Sequence, residues 1–188
     1  TIPNCVNYDP AYAYELAVIV QNGLKRMYVD MESVFFYITT MNENYQQPTM
    51  PKGAEEGIIK GMYLLEDSDA KDYQVSKTID KNLRLRLLGS GTILREVRQA
   101  AKTLREEFSV SVDVWSVTSF NELRKEALEV SRENMLHPEK KPKTPFVTQQ
   151  LERQSGPVIA ATDYMKVHSD QIREYVPDSY RVLGTDGF

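Results

Sequence analysis

The chain has 188 residues, 41% hydrophobic and 27% charged, enough for one core or two small ones. Its formal net charge is −4, and the tight basic cluster Lys140-Lys141-Pro142-Lys143 has no interleaved aromatic residues, which argues against a nucleic-acid partner. One cysteine, Cys5, cannot close an internal disulfide, and no apolar run approaches the ~20 residues of a membrane span; a reducing, cytoplasmic setting is the expectation.

Taken in order, the sequence first predicts an amphipathic helix over 11–28, with Leu16, Ile19, Val20, Leu24 and Met27 at helical spacing, Asp9 as its cap and Pro10 in its first turn. "SVFFYITT" reads as a buried strand, and "MNENYQQPTMPKG" as a polar loop that two prolines keep out of helix. A second helix is expected from Gly53 or Ala54 to near Leu65. Residues 66–82, "EDSDAKDYQVSKTIDKN", are charged and nearly free of core residues, as a linker is.

The remainder alternates regularly. Strand 83–88 leads to helix 92–107, whose Ile93, Leu94, Val97, Ala101 and Leu104 line one face and require a sheet to cover them. "VSVDVWSV" is the next strand, and Ser119 with Glu122 three residues later opens the helix "SFNELRKEALEVSREN" with a reciprocal capping pattern. A short helix after Thr144-Pro145, the strand "PVIAAT", the helix "DYMKVHSDQIREYV" and the strand "YRVLGT" complete a mostly parallel α/β pattern.

Local chemistry is sparse. Gly89-Ser90-Gly91 lies between strand and helix, where dinucleotide folds hold a phosphate, but the third glycine of the G-x-G-x-x-G pattern is replaced by Leu94, and Asp113 lies inside its strand rather than at its end. A tight structural turn and a nucleotide site both remain open. His137 lies in a loop, and Asp170, two residues from His168, points elsewhere on a helix, so neither histidine has a metal-ligand partner at suitable spacing. Met135 and Met165 read as packing residues, and Cys5 as a packed thiol.

Seven stretches carry a resemblance: "TIPNCVNYDPAYAYELAVIV", "YITTMNENYQQPTMPKGAEEGIIKGMY", "LLGSGTILREVRQAA", "DVWSVTSFNELRKEA", "NMLHP", "PVIAATDYMK" and "YVPDSYRVLGTDGF". In these, in this order, the chain resembles the single-chain, homodimeric, decarboxylating first component of pyruvate dehydrogenase complexes, within the transketolase-like thiamine diphosphate enzymes. The charged linker departs from the family by its length.

The resemblance implies an α/β fold in two parts. Residues 1–66 would be the end of a middle, pyrimidine-binding domain, 67–82 the linker, and 83–188 an incomplete transketolase C-terminal-like domain with a three-layer, mostly parallel sheet. Neither a signal peptide at Thr1 nor a helix after the final strand is present, so both ends are expected to be cuts in a longer chain.

For the parent protein the resemblance implies oxidative decarboxylation of pyruvate with thiamine diphosphate and Mg2+, and transfer of the acetyl unit to lipoyl groups. The implied partners are a second copy of the chain and a lipoyl-bearing acetyltransferase component. Catalytic, cofactor and metal residues are expected upstream of Thr1, leaving this segment structural, dimer-packing and inert alone.

Transketolases have R-P-A-D-x-N-E where Asp9 to Glu15 stand here, and their arginine grips a sugar phosphate. Pyruvate has no phosphate, so Asp9 in that place is consistent with it, as is a helix-capping role. Asn42-Glu43-Asn44-Tyr45 follows a strand's carboxyl end, where open α/β sheets bind ligands, though a plain polar connector also fits. Asp9, Asn42, Asn44 and Tyr45 are therefore the candidate substrate-channel residues. The competing readings are an autonomous nucleotide-binding module using Gly89-Ser90-Gly91, and a partner-docking domain using the acids Glu66, Asp67 and Asp69.

Overall fold

The computed structural model describes residues 2–70 and 80–186. Strands β1 (Cys5–Tyr8) and β2 (Phe35–Ile38) form a parallel pair, connected by α1 (Ala13–Leu24) and a π-helical turn, Lys25–Val29. After the loop comes α2 (Glu55–Lys60) and then β3 (Met62–Glu66). The larger unit adds β4 (Asp80–Gly89), α3 (Ile93–Phe108), β5 (Val110–Val117), α4 (Phe120–Leu136), α5 (Phe146–Leu151), β6 (Val158–Ala161), α6 (Lys166–Asp170) and β7 (Tyr180–Leu183). Its five-stranded sheet runs β3-β5-β4-β6-β7, parallel except for the edge strand β3.

Period-two alternation makes the sheet two-sided. Val112 and Val114 of β5, with Leu87 of β4, pack against Leu94, Val97 and Ala101 of α3. Trp115 and Val117 of β5, with Leu88 of β4, face Phe120 and Leu123 of α4 and Val147 and Leu151 of α5. Helices therefore cover both faces, giving the three-layer α/β arrangement expected. On the second face Arg86, 1% exposed, donates to the carbonyls of Leu151, Gln154 and Gly156 and pairs with Asp178, fastening the chain between α5 and β6.

Several elements differ from the expectations. The helix expected to reach Leu65 ends at Lys60, because Gly61 adopts φ +108 and the chain turns into β3. The apolar run Met62 to Leu65 that prolonged the helical pattern instead pairs antiparallel with β5. Met62–Glu66 thus belong to the larger sheet, and a limit of the first unit at residue 66 would cut β3 from its partner strand. Within the linker assigned to 67–82, residues 71–79 lie outside the described residues; Ser68 and Asp69 are tied to Asp113 and Arg84.

The inward face of α1 is also rotated. Glu15, Ile19 and Gly23 are buried, while Val20 and Leu24 are 42% and 50% exposed, since Gly23 lies under the ring of Phe36 and Glu15 is drawn into a buried network. The strand expected to be buried, β2, leaves Phe35 and Tyr37 exposed, because no described element covers that face. The helix expected over 163–176 breaks after Asp170: the Gln171 amide donates to the His168 carbonyl at 2.6 Å, occupying an acceptor that a continuing helix would use. Met135 and Met165, read as packing residues, are 72% and 62% exposed, one at the last turn of α4 and one just before α6. The Ser119 cap forms, accepting from Glu122 N at 3.0 Å, but its reciprocal half does not: Ser119 N donates to Gly61 O and the Glu122 carboxylate takes Lys125.

Candidate functional site

In open α/β sheets, ligands bind at the carboxyl ends of the strands, where the strand order reverses direction. Here the chain passes from β4 to β5 on one side and later to β6 and β7 on the other, so the reversal lies between β4 and β6. The first unit occupies that crevice with its own residue Asp9. The Asp9 N–H donates to Thr118 O beyond β5 at 2.7 Å, and its carbonyl accepts Gly91 N–H beyond β4 at 3.1 Å. Its carboxylate accepts the hydroxyls of Thr39, beyond β2, and Tyr164, beyond β6, both at 2.8 Å.

His168 completes the cluster. Its Nε2 lies 3.7 Å from the Asp9 carboxylate, and its ring packs against Tyr164 and Phe120, with centroids 4.6 and 5.6 Å apart. Burial pushes the Asp9 carboxyl upward, but the facing imidazole and the two hydroxyls outweigh it and hold the group below the usual carboxylate range. Burial and the Asp9 carboxylate push the Tyr164 hydroxyl up, so it stays a neutral donor.

Asp9 is therefore not the cap of α1, which overturns that expectation: a carboxylate held by Thr39 and Tyr164 is unavailable to the helix. Glu15 takes the role from inside, its Oε2 accepting Ala11 N at 2.5 Å and Tyr12 N at 3.0 Å. Its Oε1 accepts the hydroxyls of Tyr63 on β3 and Ser116 on β5, each at 2.6 Å, and Tyr14 joins through Tyr63. Glu15 is wholly buried, and burial raises its pKa against the pull of these four donors.

The Gly-Ser-Gly turn is also accounted for. The Gly91 N–H, a donor a phosphate would need, is bonded to Asp9, and a Cβ on Gly89 would come within 2.9 Å of Leu94 Cα, so this glycine permits close packing of α3 on β4. Among the described residues no three His, Cys, Asp or Glu side chains are placed to hold a metal.

Of the four candidates, Asp9 is 7% exposed at the centre of the cluster. Tyr45 is tied down elsewhere: its hydroxyl donates to Ala11 O and its ring is covered by the Arg95 guanidinium, 5.0 Å away. Glu43 pairs with the same Arg95 at 2.6 Å, and Gln47 accepts Ala13 N at 2.9 Å, so the loop is fastened to α3 and α1. Asn42 and Asn44 are exposed and are not brought to Asp9. Local reading missed Thr39, Tyr164 and His168; Tyr164 is 155 residues from Asp9, and no local spacing marks the pairing.

Other singled-out groups are surface features. His137 is half-exposed beside Glu139 at 3.3 Å, and Cys5 is half-buried with its carbonyl accepting Lys125. Glu66 pairs with Arg98 and Arg105, and Asp69 with Arg84, so two of the three acids suggested for docking are engaged within the chain.

A two-sided, mostly parallel sheet with an antiparallel edge strand, docked on the end of a second α/β unit, defines a class. The chain belongs to the transketolase-like proteins: residues 61–188 match the family described as the transketolase-like TK C-terminal domain. Residues 1–48 match the pyruvate dehydrogenase E1 component middle domain. Curated relatives are more particular. All 188 residues align with the pyruvate dehydrogenase E1 components of Pseudomonas aeruginosa, at 59% identity over 189 aligned positions, and of Escherichia coli K12, at 53% over 190. That of Cupriavidus necator is 48% identical over 191. The chain spans 20% of the length of each of these relatives. Among solved structures, a transketolase from Campylobacter jejuni superposes over the whole chain and 22% of its own, with a TM-score of 0.56 at 18% identity, a likeness of fold.

Proposed function

We propose that this chain is the part of a pyruvate dehydrogenase that joins the end of the middle domain to the C-terminal domain. The intact enzyme would decarboxylate pyruvate oxidatively and pass the acetyl unit to the lipoyl group of an acetyltransferase partner. The observation that carries the reading is the identity of 59% extending over the whole chain to one pyruvate dehydrogenase E1 component. The parent would use thiamine diphosphate and Mg2+, but the described residues do not fit that group: Gly91 N–H is bonded within the chain and no three metal-ligating side chains converge. No catalytic step is assigned to this chain.

Its own contribution in this reading is positional. The hydrogen bond from Thr39 to Asp9 fixes the start of the loop carrying Asn42 and Asn44, and the bonds from Tyr45 and to Gln47 fix its middle. We assign Asn42 and Asn44 to the substrate path, with Asp9 and Tyr45 as the groups that set the loop's course. The exposed side chains Val20, Leu24, Tyr28 and Met31 form the surface we assign to the rest of the middle domain or to a second copy of the chain. Among the described residues no helix is long and apolar enough to cross a membrane.

The test is made on the intact protein. With thiamine diphosphate, Mg2+, pyruvate and an artificial electron acceptor, acceptor reduction dependent on pyruvate is expected. Its absence in a folded, cofactor-loaded protein would refute the reading. Asn44→Ala should raise KM for pyruvate while leaving folding unchanged.

A further inference from the structure

A groove that adjoins the Asp9 crevice at His168 runs between the β1–β2 pair and helices α4 and α6. It consists of two adjoining cavities, of about 250 and 420 Å3, which share Asn121, Arg124 and Gln171 as lining residues. The walls of the smaller cavity include Ile2, Tyr37 and Leu128, which are 60%, 62% and 47% exposed. A relay of amides connects the two: Gln171 donates to Asn121 Oδ1 at 2.8 Å, and Asn121 donates to Asn7 Oδ1 at 2.7 Å.

The charges around the groove are paired except one. Lys125 is held by Glu122 at 2.8 Å and by the Cys5 carbonyl, Asp170 is held by Arg173, and His168 faces Asp9. Arg124 lines both cavities, and its guanidinium has no hydrogen bond or ion pair among the described residues. An unpaired guanidinium presents a planar fork of donors matched to a carboxylate. A single free positive charge beside the paired acids Glu122 and Asp170 favours a monoanion over a dianionic phosphate. The apolar wall favours a ligand with a hydrocarbon portion, and the smaller cavity lies near the low end of ligand-pocket sizes, limiting that portion to a short chain.

We infer that this groove binds a small organic monocarboxylate, its head on Arg124 and its short apolar chain against Tyr37 and Leu128. The groups that hold the ligand, Arg124, Tyr37 and Leu128, lie outside the Asn42–Gln47 loop, so the assignment does not rest on the pyruvate dehydrogenase reading.

Titration calorimetry on the intact protein with butyrate, butyramide and inorganic phosphate tests it. The expected result is saturable butyrate binding with a component about tenfold weaker, or lost, in Arg124→Gln. Butyramide should lack that component, phosphate should not displace it, and Leu128→Ser should weaken it. Arg124 is exposed, so an unchanged thermal melt is expected of Arg124→Gln and separates loss of binding from loss of fold. The assignment is overturned if no saturable component is found, if Arg124→Gln leaves butyrate binding unaltered, if butyramide binds equally, or if phosphate competes. Pyruvate turnover in the same preparation reports separately on the proposed activity.

Discussion

Two buried carboxylates in this chain should respond to pH with opposite sign. The Asp9 carboxyl is held below its ordinary value, so its contribution to stability is complete above about pH 4 and is lost as pH falls through the folded-state value. The destabilisation caused by Asp9→Asn should therefore be full at pH 7 and vanish in acid. Glu15 is raised by burial, so it favours the folded state most below about pH 4 and progressively less as pH rises through its folded-state value. The advantage of wild type over Glu15→Gln should shrink over that range. Urea unfolding midpoints across a pH series check both signs. Glu15→Ala is a harsher change, leaving two backbone N–H groups and two hydroxyls without their acceptor at a buried site; we expect it to cost at least about 3 kcal/mol. Glu15→Gln should cost much less, because its amide oxygen can keep the backbone donors while the hydroxyls of Tyr63 and Ser116 rotate to accept from its nitrogen.

Among the elements, the junction of α2 and β3 is the most constrained. Gly61 has a positive φ, a Cβ there would come within 2.6 Å of Ser119 O and 2.9 Å of Leu123 Cγ, and its carbonyl receives the N–H groups of Thr118 and Ser119. Gly61→Ala should destabilise by more than about 1 kcal/mol, lowering the thermal midpoint, because backbone strain and a clash with backbone combine. By contrast, Gly53→Ala carries the strain alone, since a Cβ there has no atom within 4 Å, and should cost less. Sequence periodicity located the apolar stretch 54–65 but not this change from helix to strand. Leu64 and Leu65 fit either period, and a single glycine in such a run is as compatible with a tolerated interior position as with a terminus. In α1 the expected face is right at Ile19, which is buried, and wrong at Val20 and Leu24, which are exposed. Leu16, Val20 and Leu24 form an apolar line at i, i+4, i+8, yet the line turned inward is Glu15, Ile19 and Gly23, because a buried carboxylate with four donors and a glycine under an aromatic ring decide the rotation.

At the scale of the whole molecule, the hydrogen-bonded seam between the first unit and the larger sheet suits a segment that transmits position rather than performs chemistry. Glu15 and Asp9 bind the first unit to β3, β5 and β6-linked groups, and Arg98 adds a bond to Tyr12 at 2.9 Å. The exposed side chains at the end of α1, in the π-helical turn and on β2 leave apolar surface that water contacts in the isolated chain. Expressed alone, the chain should give no turnover with thiamine diphosphate, Mg2+, pyruvate and an electron acceptor, and should self-associate in sedimentation velocity. Replacing Tyr28 and Met31 by serine should reduce that association without altering the circular dichroism spectrum.

The sequence by itself determined the alternation of strands and helices, the inward face of α3, the Ser119 cap and, through motifs in order along the chain, the family. These are properties of period, turn chemistry and composition, which act over a few residues. Only the tertiary structure decided that Asp9 fills the crevice instead of capping a helix, that β3 joins the larger sheet, and that Thr39, Tyr164 and His168 meet. The physical reason is that a buried carboxylate takes its donors from whichever strand ends the topology brings beside it, and those ends lie up to 155 residues away in the chain.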